Sequence, residues 1–232
     1  MREIFDLFIG NSPPKRGDRK LRQGDFEGAI QEYNQALSLE PNDAMSYGQR
    51  GYAFALLGDD KRAIEDYNQA LRLAPSAAAV YSNRGISREA LGDLKGAIED
   101  YKRVLYIDSS IPQAHFQLGV AYVKLKNYEY AVRVLNRAIA LNSEYISAYA
   151  FRGIAYAGLN RYQEALKDND QAIRLEPDYA KGYKFRGLTR IEMESDSAAI
   201  EDLQKAAGLF FNHGQTAEHQ EMIALIKKLQ EG

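Results

Sequence analysis

Arg84 and Asp100 are residue types whose spacing could do chemistry. They stand sixteen residues apart in the stretch YSNRGISREALGDLKGAIEDY, each beside residues that read as core. A guanidinium facing a carboxylate on two apolar faces could bind an anion, orient a proton transfer, or hold two helices together. The choice depends on whether the pair occurs once or is copied.

It is copied. Glycines fall at Gly17, Gly51, Gly85, Gly119, Gly153 and Gly187, and alanines at Ala29, Ala63, Ala97, Ala131, Ala165 and Ala199, every gap being 34. The period divides the chain into six repeats: 10–43, 44–77, 78–111, 112–145, 146–179 and 180–213. Position 7 holds Arg16, Arg50, Arg84, Leu118, Arg152 and Arg186; position 23 holds Glu32, Asp66, Asp100, Val134, Asp168 and Asp202. Charge stands at both places or at neither, the pattern expected of direct contact. Planar guanidinium geometry suits a carboxylate, and a buried ion pair and a packed apolar pair lie close in energy. The spacing therefore predicts an arginine–carboxylate staple within each repeat, with an apolar pair in the fourth. A catalytic pair would not be copied five times along a rod.

Each repeat carries two helical patterns. In residues 78–111, Tyr81, Gly85 and Arg88 mark a first helix; Ala97, Tyr101, Val104, Leu105 and Ile107 mark a second. Between them lies Leu91-Gly92-Asp93, with matching breaks at Gly24-Asp25, Gly58-Asp59, Lys126-Asn127 and Asn160-Arg161. Glycine there can take positive φ and end the helix. Pro41, Pro75 and Pro177 stop second helices. Gly85 and Ala97 predict close approach of the two helices, with Tyr81 and Tyr101 filling the flanks. One hairpin cannot bury its own apolar face, but stacked neighbours can. After the turn Asn212-His213-Gly214, the stripe Met222, Ile223, Leu225, Ile226 and Leu229 predicts a capping helix within 214–232. Pro13 occupies the aromatic position of repeat one, so its first helix is expected to start late. The N-terminal segment 1–9 carries Ile4, Phe5, Leu7, Phe8 and Ile9 and reads as a cap or tail, or as a short segment touching a membrane or partner.

Composition excludes several classes. The formal net charge is −2, without the basic excess of a nucleic-acid binder. With no cysteine there is no disulfide, thiolate metal site or thiol nucleophile; this fits a reducing, cytoplasmic setting. No apolar run approaches the ~20 residues of a membrane helix. His115, His213 and His219 lack metal-ligand spacing, and His115 reads as packing. There is neither a phosphate-cradling glycine loop nor a G-x-S-x-G elbow. The expectation is a non-enzyme with no metal and no cofactor.

The 34-residue unit resembles that of the tetratricopeptide repeat family: an aromatic at position 4, glycine at 8, alanine at 20, an aromatic at 24, alanine at 27 and proline at 32. Residues 44–77 match with Tyr47, Gly51, Ala63, Tyr67, Ala70 and Pro75. Residues 146–179 match with Tyr149, Gly153, Ala165, Ala172 and Pro177, but Asn169 replaces the second aromatic. The pentatricopeptide family of RNA binders usually has a period of 35 and fits less well. The resemblance implies an all-α, right-handed superhelical solenoid of antiparallel helix hairpins. It also implies a partner groove on the first helices, at positions 2, 5, 6, 9, 12 and 13. Those positions nominate Gln49, Tyr52, Asn83, Ile86, Phe116, Gln117, Val120, Phe151, Ile154, Lys181, Lys184 and Phe185. The phenylalanines would be apolar anchors, and the amides would bond a peptide backbone.

The family's carboxylate clamp for chaperone tails is not reproduced. Asn83 matches one member, whereas Ser82, Ile86, Gln113 and Gln117 lack the charges; Lys181 and Lys184 leave a basic spot. The resemblance thus implies a scaffold or adaptor for a protein or peptide segment with apolar anchors, with self-association as a further possibility. The repeat style also resembles that of photosynthetic bacteria, which adds the alternative of an assembly factor for a membrane complex, peripherally attached. A regulatory region associated with an enzyme is the remaining alternative.

Overall fold

The structure is a computed structural model that describes residues 12–231. The N-terminal segment 1–9 lies outside the described residues. The chain divides after Ser109 into two compact units. Every element among the described residues is an α-helix.

The N-terminal unit holds α1 (Pro13–Arg22), α2 (Phe26–Leu39), α3 (Ala44–Leu56), α4 (Asp60–Leu73), α5 (Ala78–Ala90) and α6 (Leu94–Ile107). The C-terminal unit holds α7 (Pro112–Lys124), α8 (Tyr128–Leu141), α9 (Ile146–Gly158), α10 (Tyr162–Leu175), α11 (Ala180–Glu192), α12 (Asp196–Asn212) and α13 (Thr216–Glu231). Within each unit every helix packs on the next, and successive first helices also touch: α1 with α3, α3 with α5, α7 with α9, α9 with α11.

The hairpin turns follow from local chemistry. Gly24, Gly58 and Gly92 adopt positive φ, as required to end one helix and reverse the chain. The next residue then caps the second helix. Asp25, Asp59 and Asp93 accept from the amides of Gly28, Arg62 and Gly96, satisfying N–H groups that would otherwise lack partners. At the corresponding turns of the C-terminal unit Lys126, Asn160 and Glu194 take positive φ without glycine; asparagine visits this region readily, whereas lysine and glutamate do so at a cost. In repeat one Pro13 is the first helical residue, where its missing N–H costs nothing; α1 is 10 residues long against 13 in the other first helices.

The core runs between paired helices. The alanines at position 20 are fully buried in all six repeats. Position 24 is equally buried: Tyr33, Tyr67, Tyr101, Leu135, Asn169 and Leu203. Each lies against the glycine at position 8. A Cβ on Gly85 would come 2.6 Å from the Tyr101 ring, and one on Gly119 2.5 Å from Leu135. The glycine therefore lets the second helix's large side chain cross the first helix at contact distance. At the end of the C-terminal unit Leu203, Phe210, Met222 and Ile226 form one buried cluster, so α13 covers the apolar face of α12.

Candidate functional site

The arginines at position 7 hold their carboxylates as the sequence predicts. Arg84 donates from Nε and Nη2 to the two oxygens of Asp100 at 3.0 and 2.6 Å. Arg50–Asp66, Arg152–Asp168 and Arg186–Asp202 repeat this fork, and Arg16 meets Glu32 at 2.7 Å. The ion pair lifts Arg50 and Arg186 above the usual arginine range through their hydrogen bonds to Asp66 and Asp202. Burial raises the Asp168 carboxyl despite the pull of Arg152, the direction expected where desolvation outweighs the ion pair. In repeat four Leu118 is buried and Val134 half-buried.

The structure adds a third arm that repeat-by-repeat reading of positions 7 and 23 had missed. Nη1 of Arg50, Arg84, Arg152 and Arg186 donates at 2.6 Å to Asn34, Asn68, Asn136 and Asp170, each on the second helix of the preceding repeat. One guanidinium thus ties its own hairpin and the hairpin before it. All four acceptors stand at position 25, so the signal was present in the aligned repeats. Before Leu118, which has no donor, position 25 is Lys102 rather than an acceptor. The opening pair is accordingly structural.

The groove residues separate by unit. In the N-terminal unit Gln49 and Asn83 come together at a hollow of about 350 Å³ floored by small residues, Gly48, Ala70, Ala74 and Ala77, and edged by Met45 and Val80. Tyr52 lines a neighbouring hollow with Gln49, Leu21 and Leu56. Met45, Tyr52 and Ile86 are 69%, 40% and 50% exposed.

In the C-terminal unit the three phenylalanines pack on one another. Phe116 meets Phe151 edge-on at 5.5 Å, and Phe151 meets Phe185 at 5.8 Å. Tyr145 meets Phe116 in a tilted contact at 4.9 Å and hydrogen-bonds Gln113; Tyr179 donates to Ser147. These two tyrosines, at position 34, belong to the same wall and were not nominated. All three phenylalanines are half-buried, as are Gln117, Val120 and Ile154. Ile154 and Phe185 share a hollow of about 540 Å³ with Tyr128, Ala157, Tyr162, Leu188 and Leu225. Lys181 is exposed, but Lys184 is clamped by both oxygens of Glu221 on α13 at 2.8 and 2.7 Å. Of the two lysines, Lys181 therefore stands open, and the exposed Glu192 lines the hollow with Phe185. Among the described residues no group of three or more His, Cys, Asp or Glu is placed to hold a metal, and no helix is long and apolar enough to cross a membrane.

Comparison with known proteins follows the same lines. No match was found among curated proteins. Among solved structures, MamA is 27% identical, with a TM-score of 0.67 over 71% of this chain and 96% of that one. A tetratricopeptide repeat protein from Parabacteroides merdae gives a TM-score of 0.76 at 20% identity, covering 94% and 91%. YrrB, described as a tetratricopeptide protein with an unusual peptide-binding site, is 24% identical with a TM-score of 0.63, covering 82% and 97%. Family models described as TPR repeat or tetratricopeptide repeat match residues 17–58, 51–92, 88–126, 112–145 and 146–179. These matches, the unbroken 34-residue register and the glycine-on-position-24 packing make this chain a member of the tetratricopeptide repeat family.

Proposed function

We propose that the chain is a non-catalytic scaffold that holds an apolar segment of a partner protein against its first helices. The observation that carries this reading is in the N-terminal unit. Met45, Tyr52 and Ile86 stand well exposed, while the amides of Gln49 and Asn83 flank a hollow floored by alanines. Exposed apolar side chains around a concavity offer contact area; the amides offer both a donor and an acceptor to a peptide backbone. YrrB's described peptide-binding site is in keeping with this, but at 24% identity that likeness speaks for the fold, and the reading rests on the residues themselves.

The phenylalanines of the C-terminal unit are half-buried and pack on one another. These contacts hold the rings in place on the first helices. The appropriate test changes residues that are exposed. Wild type and a Met45→Glu/Ile86→Glu variant are compared for partner retention from native lysate, with circular dichroism confirming equal helicity. A protein retained by wild type and lost by the variant supports the reading. Equal retention by both overturns the assignment of this face.

A further inference from the structure

Position 24 is buried in every repeat, but its occupant varies. In repeats one and three the phenol crosses the glycine at position 8, and its hydroxyl ends near positions 9 and 12 of its own repeat. Tyr33 donates to Asp18 at 2.6 Å, and Tyr101 donates to Glu89 at 2.8 Å. In repeat two the Tyr67 hydroxyl is buried without a hydrogen-bond partner; burial raises this phenol first, then Tyr52 and Asp60, at positions 9 and 17.

Repeat five has Asn169 in this place. The side chain lies on Gly153, where a Cβ would come 2.9 Å from Oδ1. It is fully buried, and neither Oδ1 nor Nδ2 has a hydrogen-bond partner. A buried amide unsatisfied as donor and as acceptor is unusual and costly. Positions 9, 12 and 17 of this repeat are Ile154, Ala157 and Tyr162, and all three line the hollow of about 540 Å³, with Leu188 opposite on α11. Asn169 itself is sealed against Gly153 and is not among the residues that line the hollow.

We infer that repeat five is a receptor for one phenol, the side chain of a tyrosine supplied by the partner. The ring seats against Ile154, Ala157 and Leu188. The Asn169 amide turns toward the hollow as the ring enters, donating from Nδ2 to the hydroxyl oxygen and accepting its proton at Oδ1. A phenol hydroxyl satisfies both halves of the amide; a plain hydrocarbon ring satisfies neither. The partner thus supplies the group that repeats one to three carry themselves. The inference deepens the scaffold reading and rests on it only for the origin of the tyrosine.

The test uses the full chain with p-cresol as probe and toluene as its hydroxyl-free counterpart, followed by methyl and side-chain amide NMR. p-Cresol is expected to shift the Ile154 and Leu188 methyls and the Asn169 amide. Toluene is expected to bind roughly tenfold more weakly, the effect of one lost hydrogen-bonded group. Asn169→Tyr, which restores the repeat's own tyrosine, is expected to abolish the response. Asn169→Leu, the side chain used at Leu135 and Leu203, is expected to abolish the preference for p-cresol and keeps the test valid if the tyrosine variant misfolds. Unmoved Ile154 and Leu188 methyls, equal affinity for the two probes, or an unchanged response in Asn169→Tyr would each overturn the site. A failed titration leaves retention through Met45 and Ile86 standing, and lost retention leaves the titration standing, so the two readings fail separately.

Discussion

Arg50 holds Asp66 through two parallel hydrogen bonds of 2.7 Å, Nε to Oδ2 and Nη2 to Oδ1. Its remaining arm reaches Asn34 in the repeat before. Asp66 is almost entirely buried, so removing its partner leaves a charge in a poorly solvated place. Arg50→Leu is expected to cost about 3–5 kcal/mol. The double change Arg50→Leu/Asp66→Val, which copies Leu118 and Val134, is expected to recover most of that loss. Arg84→Leu should cost less than Arg50→Leu, because Asp100 also accepts from Arg88 at 2.9 Å, whereas the equivalent of Arg88 in repeat two is Phe54. Urea unfolding of wild type, Arg50→Leu, Asp66→Val, the double change and Arg84→Leu measures this. Additive single changes in the Arg50/Asp66 cycle would sink the staple.

Gly85 and Gly187 occupy the same repeat position but differ in what lies above them. A Cβ at Gly85 would stand 2.6 Å from a buried tyrosine ring, and one at Gly187 3.1 Å from Leu203. Gly85→Ala is expected to destabilise by about 1–3 kcal/mol through overpacking. Gly187→Ala should lie near neutral, since the helix gains up to about 1 kcal/mol from alanine. Thermal melts that rank the two variants the other way would contradict the packing.

Alkaline pH should unfold the protein through its buried phenols. Burial pushes Tyr145 up from 10.0 to about 12, and Tyr101 is raised further by burial and then by Glu89. Between the unfolded and folded values the native chain holds protons that the unfolded chain has released, so stability falls as pH rises. The contribution of Tyr145 is fully present below pH 10 and is lost as pH climbs through about 12. Urea midpoints from pH 8.5 to 11.5 check this; a flat profile above pH 10 would refute it.

Ending the chain at Gly214 removes α13 and uncovers Leu203 and Phe210, which pack with Met222 and Ile226. The truncated protein is expected to melt at lower temperature and to associate, because an end repeat with an uncovered apolar face is poorly soluble. Calorimetry and light scattering report the two effects. An unchanged melt with a monodisperse product would show that α13 is not the cap.

The sequence by itself determined the period, the helix pairs, the turns and the staple. These are set by residues near in sequence: a glycine and an aspartate at a turn, an arginine sixteen residues before a carboxylate. Six copies also let each position be compared with itself, which is why Leu118 with Val134 could be read as a paired change. The tertiary structure decided what depends on neighbours from other repeats. Sequence nominated Phe116, Phe151 and Phe185 as anchors by register, but ring-to-ring contact between successive first helices half-buries them. Lys184 was open to a partner by register and is instead held by Glu221, thirty-seven residues away. Asn169 read as a simple departure from the repeat, and only packing shows it sealed with both amide atoms unsatisfied. Register along one helix fixes which face a side chain leaves from. Whether that face meets solvent, another ring or an opposing charge is settled only when the repeats stack.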